Sequence, residues 1–129
     1  MSTDKHNILL VEKNPMIGSV IASTAYQLNL ATVRKVTSLS AARQYLMHDR
    51  ISALIANIDD EAADLAFLQA LRDATFRAPS DLPVAIITPG CNGEFAEKLK
   101  ALKVSRILLK PFKVRDVITT IELVTAPKN

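Results

Sequence analysis

Four apolar segments of the sequence each end in polar residues that are able to do chemistry. In chain order these polar residues are Glu12, Lys13, Asn57, Thr88 and Lys110. They supply one carboxylate, two amines, one amide and one hydroxyl, so they favour ion pairing and hydrogen bonding. The sequence offers no nucleophile with a matched base, and we therefore expect no enzymatic activity.

The segments before these residues alternate with amphipathic patterns along the chain. Short continuous apolar runs are typical of strands buried on both faces, and apolar residues at three- and four-residue steps are typical of helices. Five strands that alternate with five helices predict a parallel sheet covered on both sides. The predicted strands are 7–12, 32–36, 52–58, 84–88 and 105–110.

The helices between these strands have recognisable starts. Asn14 suits the N-cap of the first helix and Pro15 its first position, because proline lacks the backbone donor that would have no partner there. Ser38 suits the N-cap of the second helix. Later helices are predicted at 60–72, 94–102 and 112–125. Because parallel strands end at a common edge of the sheet, we expect the polar residues above to lie together there.

The composition fits one ordinary globular domain. The 129 residues are 49% hydrophobic and 22% charged, and we predict a single domain over 1–129 with its core at about 7–125. No apolar run approaches the ~20 residues of a membrane-spanning helix, and no secretion signal is visible. The single cysteine, Cys91, excludes an internal disulfide and a thiolate metal cage. We therefore expect a cytoplasmic protein without membrane contact.

Charge is distributed unevenly along the chain. The net charge is +3, yet segment 98–115 carries seven basic residues and no acidic one. This segment could be a solvated surface, or it could bind an acidic protein face, phosphate groups or a cyclic dinucleotide. Nucleic acid is a poor fit, because base stacking needs aromatic residues and Phe112 is the only one. The candidate surface residues are Lys98, Lys103, Arg106, Lys113 and Arg115.

Segments 8–15, 52–57, 83–88 and 107–112 together resemble the receiver domain of bacterial two-component response regulators. In that family the corresponding strands end on an acid pair, on a phosphoacceptor aspartate, on a Thr or Ser, and on a Lys followed by Pro. The four segments occur in the family order with family-like spacing. The resemblance implies a flavodoxin-like three-layer α/β sandwich whose five-stranded parallel sheet has the order 2-1-3-4-5.

The same resemblance reveals departures in the phosphorylation pocket. It assigns Asn57 to the phosphoacceptor position and Glu12 with Lys13 to the acid pair, while Thr88 and Lys110 match the family. A carboxamide is not a usable nucleophile, because its nitrogen lone pair is delocalised. With one carboxylate left, the pocket is expected to bind Mg²⁺ poorly, and we predict no cofactor.

Two further expectations concern the state of this pocket. Ile107 occupies the position of the family's aromatic switch residue, and it has no polar end to move between core and solvent. In place of a metal, we expect Lys13 and Lys110 to bridge to Asn57, Glu12 or Asp59.

The resulting interpretation is a degenerate receiver that works as a phosphorylation-independent signalling or docking module in two-component signal transduction. The resemblance implies a protein partner at the face of the fourth helix, fifth strand and fifth helix, with a homodimer as a further option. A second interpretation is a sensor of an anionic ligand such as a cyclic dinucleotide, bound by Lys103, Arg106, Lys113 and Arg115. A third is an active receiver that is phosphorylated at Asp59.

Overall fold

Strands and helices alternate throughout the computed structural model, which describes residues 6–59 and 61–126. The predicted ends of the elements differ from the observed ones by at most two residues, and the bounds of 32–36 and 84–88 are the observed ones. The strands are β1 (Asn7–Val11), β2 (Thr32–Val36), β3 (Ala53–Asn57), β4 (Val84–Thr88) and β5 (Arg106–Leu109). The helices are α1 (Pro15–Gln27), α2 (Leu39–His48), α3 (Ala62–Arg72), α4 (Gly93–Ala101) and α5 (Val114–Val124).

The five strands form one parallel sheet in the order β2-β1-β3-β4-β5, which confirms the predicted flavodoxin-like topology. Leu10 of β1 lies opposite Ile55 of β3, and Asn57 at the end of β3 lies opposite Ile87 of β4. The strand order reverses between β1 and β3, and the crevice outside their carboxyl ends is the usual ligand position in such sheets. The residues at the carboxyl ends of β1 and β3 are therefore the candidates for a functional site.

Helices cover both faces of the sheet and complete three layers. Side chains alternate between the faces along each strand, so one strand contributes to both cores. The core beneath α2, α3 and α4 includes Phe67, Leu71 and Phe95. The core beneath α1 and α5 includes Ile21 and Ile121. Burial of this apolar surface is the main favourable contribution to folding, and it holds the strand ends in fixed positions.

Capping residues define where two helices begin beside the carboxyl edge of the sheet. The side-chain oxygen of Asn14 accepts hydrogen bonds from the backbone N–H groups of Met16 at 2.9 Å and Ile17 at 3.4 Å. The hydroxyl oxygen of Ser38 accepts one from the N–H of Ala41 at 3.1 Å. These bonds satisfy N–H groups that have no partner within the helix. Both predicted N-caps are confirmed.

Arg72 at the end of α3 links two loops at the opposite, amino edge of the sheet. Burial lowers the pKa of its guanidinium, and the nearby charge of Asp81 opposes this effect. Arginine nevertheless stays protonated at neutral pH, so the charge is permanent. The guanidinium donates hydrogen bonds of 2.7–3.3 Å to four backbone carbonyls, those of Ser80, Leu82, Leu102 and Lys103.

Three sequence predictions can be compared with the structure only within the described residues. Within them, no helix combines the length and the apolar character that crossing a bilayer requires. Asp60, at the predicted start of the third helix, lies outside the described residues, as do the first five and the last three residues. The single domain over 1–129 stays a prediction.

Candidate functional site

Glu12 lies directly after β1 and is buried, with 3% of its surface exposed. Its backbone N–H donates to the carbonyl of Val36 at 3.0 Å, which continues the pairing of β1 with β2 by one residue. A buried carboxylate needs paired charge and hydrogen bonds, because removing a charge from water is costly. The donors around Glu12 therefore determine the state of the site.

Lys110 and Asn57 supply two of these donors. Lys110 follows β5, and its Nζ lies 3.3 Å from Oε1 and 3.4 Å from Oε2 of Glu12. Asn57 ends β3, and its Nδ2 lies 3.5 Å and 3.4 Å from the same two oxygens. β3 neighbours β1 in the sheet, and the long side chain of Lys110 reaches back from β5. The predicted bridge from Lys110 to Glu12 is confirmed.

A third donor comes from the backbone of Asn14. Its N–H lies 3.0 Å from Oε2 of Glu12, while its side chain caps α1. One residue thus ties the buried carboxylate to the start of a helix. The sequence indicates Asn14 only as a cap, because a backbone N–H has no signature in the residue type.

Lys13 takes no part in this network. Its side chain is exposed and forms no ion pair with any residue in the described part of the chain. The prediction that Lys13 bridges to Asn57, Glu12 or Asp59 is therefore wrong. Neighbouring side chains in extended backbone point to opposite sides, so with Glu12 turned inward Lys13 points away. Lys13 and Asn57 both line a cavity of about 540 Å³ at the starts of α2 and α3.

Thr88 and Ile107 lie on neighbouring strands close to the site. Thr88 is buried at the end of β4, and its hydroxyl donates to the carbonyl of Gly90 at 3.1 Å. The hydroxyl is thus engaged with the loop that follows its own strand. Ile107 is half-buried in β5 and packs against the core beneath α2, α3 and α4. Its role as a switch position stays a prediction.

Asp59 lies beyond the end of β3, in an acidic group at the start of α3. Its backbone N–H donates to the carboxylate of Asp64 at 2.9 Å. One carboxylate oxygen from each of Asp59, Glu61 and Asp64 lies within 4.8 Å of the other two. Carboxylates at this position are favoured by the helix macrodipole. Within the described part of the chain, Asp59 forms no ion pair with Lys110.

Four of the basic candidates for an interaction surface are divided between two edges of the sheet. β5 has 4 residues and rises about 10 Å at ~3.3 Å per residue. Lys103 and Arg106 lie before it and at its start, whereas Lys113 and Arg115 follow its end. The strand therefore lies between the two pairs of residues. The cyclic-dinucleotide site expected at these four residues stays a prediction.

The arrangement around Glu12 compensates its single negative charge. In the described part of the chain, its partners are an ammonium, an amide N–H and a backbone N–H. The amide of Asn57 is a poor nucleophile, because its nitrogen lone pair is delocalised into the carbonyl. The site as built can hold neighbouring strands together, and it can present a fixed surface.

Comparisons with known proteins place this site within a known fold. No protein-family profile matches the sequence, and a search of curated proteins finds no match. Solved structures do match. The chemotaxis response regulator CheY4 of Vibrio cholerae is 18% identical with a TM-score of 0.79, over 93% of this chain and 98% of that chain. The chain has the receiver-domain fold.

Two further receiver structures are similar over nearly their whole length. The non-phosphorylated HemR receiver domain of Leptospira biflexa is 17% identical with a TM-score of 0.81, over 97% of this chain and 98% of that chain. The receiver domain of a sensor histidine kinase from Pseudomonas aeruginosa is 20% identical with a TM-score of 0.77, over 95% and 99% of the two chains. That structure holds a magnesium ion in its active-site cleft.

Proposed function

We propose that this chain is a receiver-like domain that accepts no phosphoryl group and works as a signalling or docking module in two-component signal transduction. The receiver fold supports the signalling module. The contact between Asn57 and the buried Glu12 carries the rest of the proposal. An amide stands at the end of β3, where the resemblance to response regulators implies an aspartate that is phosphorylated.

Asn57 removes the nucleophile that phosphoryl transfer requires. Transfer to an aspartate needs a carboxylate oxygen that attacks phosphorus while the leaving group departs on the opposite side. The amide nitrogen shares its lone pair with the carbonyl, and the amide oxygen carries no full charge. The Nδ2 group also donates toward Glu12, which fixes the orientation of the amide.

Lys110 is the cation beside Glu12, in a pocket that lacks two of the three carboxylates that the resemblance implies for an active receiver. Mg²⁺ binds carboxylate oxygens and neutralises the phosphoryl group during transfer. The residues here do not fit that ion, because the single carboxylate, Glu12, already has an ammonium at 3.3 Å. We therefore propose a module that works without a metal, a cofactor or catalysis.

This network holds β1, β3 and β5 in one arrangement. An active receiver changes its surface when a phosphoryl group arrives, and a chain that cannot be modified keeps the same surface. The module would then bind its partner in proportion to its own concentration, without a kinase. Partner binding, rather than a reaction, would be its output.

We place the protein partner on the surface of α4, β5 and α5. Lys100 and Arg115 are exposed there, and so is Leu109 of β5. On α4, Lys98 pairs with Glu94 at 3.7 Å and is less available. Exposed cations around an apolar side chain fit an acidic protein face. We expect this interaction in the cytoplasm, with neither nucleic acid nor a membrane as ligand.

Restoring the missing carboxylates tests the assignment of Asn57. The resemblance assigns Lys13 and Asn57 to positions that carry carboxylates in active receivers, so a Lys13→Asp/Asn57→Asp variant restores the three carboxylates of the family pattern at the ends of β1 and β3. We expect this variant to bind Mg²⁺ in isothermal titration, while the native chain shows no binding at the same concentrations. A matched control, Asn92→Asp/Lys100→Asp, changes the net charge equally at α4 and is expected to bind no Mg²⁺.

The outcome of this titration separates the assignment from nonspecific charge effects. Magnesium binding by the native chain would overturn the proposal that the pocket works without a metal. Equal binding by both double variants would show that net charge alone attracts the metal. A restored variant that folds and still ignores Mg²⁺ would mean that other residues form the pocket.

Charge reversal tests the proposed partner surface. We expect Lys100→Glu/Arg115→Glu to lose the protein that the native chain captures from its own cell extract. The control Arg34→Glu/Lys35→Glu changes two exposed cations on β2, at the far edge of the sheet, and should retain that protein. Equal retention by both variants would place the partner elsewhere. Light scattering of the purified chain would reveal a homodimer.

A further inference from the structure

An open groove of about 550 Å³ lies between α1 and α5, and Lys110 is one of the residues that line it. This volume lies within the range of about 300–1,000 Å³ that is typical of small-molecule sites. The groove belongs to the face opposite α2, α3 and α4. Its walls are Met16, Ile17, Val20, Ile21 and Thr24 of α1, Pro111 and Phe112 of the loop after β5, and Val114 and Val117 of α5.

The walls of this groove include apolar side chains that are exposed and not buried in the core. Met16 is 76% exposed and Val20 is 49% exposed, and Val114 faces them from α5. No charged residue occurs in the sequence between Lys13 and Arg34, so α1 has no charged face. Exposed apolar surface that is grouped in a groove marks a binding site more often than scattered apolar residues do.

One charge complements this apolar surface. Of the described residues that line the groove, Lys110 alone is charged. Its ammonium has three N–H donors, and the contacts to Glu12 leave capacity for a further acceptor. Glu12 also receives the N–H groups of Asn57 and Asn14, so it keeps partners when Lys110 is shared. A small anion at the end of an apolar body matches this distribution.

We propose that the groove between α1 and α5 binds a small amphipathic carboxylic acid, with its apolar body along Met16, Val20 and Val114 and its carboxylate at Lys110. The proposal goes beyond the docking function and does not depend on it. The ligand would share the ammonium that compensates Glu12. Ligand binding would therefore change the hydrogen bonding of Glu12 at the candidate functional site, including its contact with the amide of Asn57.

Isothermal titration with octanoate and decanoate below their micelle concentrations tests this site. We expect saturable one-to-one binding that tightens about fourfold per methylene, which corresponds to ~0.8 kcal/mol per buried CH₂. Octanoate should bind at least about threefold more tightly than 1-octanol, because only the acid can pair with Lys110. NMR signals of the Asn57 side-chain amide should shift on titration with the acid.

Two matched variants locate the binding. Val20 and Leu123 are equally exposed, at 49% and 47%, but Leu123 lies outside the lining of the groove. We expect Val20→Gln to weaken octanoate binding at least about fivefold by the loss of apolar contact, and Leu123→Gln to leave it unchanged. An equal loss in both variants, or no binding of either acid to the native chain, would overturn the proposal.

A charge-free variant tests the role of Lys110. Lys110→Met alone leaves Glu12 buried without its cation, so the fold itself could suffer. Glu12→Gln/Lys110→Met removes both charges and keeps the size of both side chains. In this variant octanoate and 1-octanol should bind equally. A preserved preference for the acid would show that the carboxylate lies elsewhere.

Discussion

Two charged groups lie at opposite edges of the sheet and are compensated in different ways. At the amino edge, Arg72 donates to four backbone carbonyls. At the carboxyl edge, Glu12 is compensated mainly by the side chains of Lys110 and Asn57. Every residue type has a backbone carbonyl, so the partners of Arg72 survive substitution of those residues. The side-chain partners of Glu12 are lost when Lys110 or Asn57 is substituted.

The contacts of Arg72 therefore depend on the backbone of the fold, whereas the contacts of Glu12 depend on residue types that can be substituted. The contacts of Arg72 need only that the loops before β4 and β5 stay in place. The contacts of Glu12 depend on the identity of two residues at the ends of other strands, Asn57 of β3 and Lys110 after β5. The carboxyl edge can therefore exchange its chemistry, for example an aspartate for Asn57, while the rest of the receiver fold persists.

Replacing Arg72 should produce the largest loss of stability. We expect Arg72→Met to lower the free energy of unfolding by about 3–5 kcal/mol, because four carbonyls lose their donor together. Arg72→Lys should lose about 2 kcal/mol, since an ammonium cannot reproduce the planar fork. Urea denaturation measures both. The control Arg77→Met, at an exposed position, should stay within about 0.5 kcal/mol of the native chain. Equal losses at Arg72 and Arg77 would contradict the structural role.

Removing the cation from Glu12 should have the next largest effect. Lys110→Met leaves a buried carboxylate without a counter-charge, and we expect a loss of about 2–3 kcal/mol. Glu12→Gln/Lys110→Met should recover most of this loss, because neither charge is then buried. A double-mutant cycle from urea denaturation measures the coupling between the two residues. A double variant that is as unstable as Lys110→Met would argue against an ion pair.

Adding a second carboxylate should cost less. Asn57→Asp keeps the side-chain shape and places a negative charge about where Nδ2 now lies, 3.4 Å from Glu12. We expect a loss of about 1–2 kcal/mol without metal, from repulsion between the two carboxylates. Thermal unfolding at low and high salt should show the loss shrinking as salt is added. An unchanged or raised melting temperature at low salt would show that the amide does not face Glu12.

Removing the amide altogether should have the smallest effect. We expect Asn57→Ala to cost about 1 kcal/mol or less, because Lys110 and the N–H of Asn14 still compensate Glu12. Urea denaturation beside Asn57→Asp separates the added charge from the lost hydrogen bond. A loss as large as that of Lys110→Met would mean that Asn57 is a structural residue comparable to Arg72.

Local sequence patterns predicted most of the fold. The bounds of β4 and the N-caps Asn14 and Ser38 are confirmed because apolar runs and capping side chains act over a few neighbouring residues. The start of α5 was predicted two residues early, at Phe112. There the backbone N–H of Lys113 donates to the side chain of Asp116 at 3.1 Å, which sets the first turn.

Less of the site was predictable, because side-chain direction and long-range contacts have no local pattern. The ends of β1 and β5 indicated Glu12 and Lys110, but the sequence could not show that Lys13 points away from the site. The carbonyl partners of Arg72 lie 8 to 31 residues away, and a carbonyl is the same in every residue. The uncharged stretch that forms α1 was the available signal for the groove.

The central claim is that no residue of this chain accepts a phosphoryl group. Intact-mass spectrometry after incubation with acetyl phosphate and Mg²⁺ tests it most directly. We predict that the native chain keeps its unmodified mass, and that Lys13→Asp/Asn57→Asp gains one phosphoryl group at the substituted position 57. A phosphoryl group on any residue of the native chain, Asp59 included, would contradict the account.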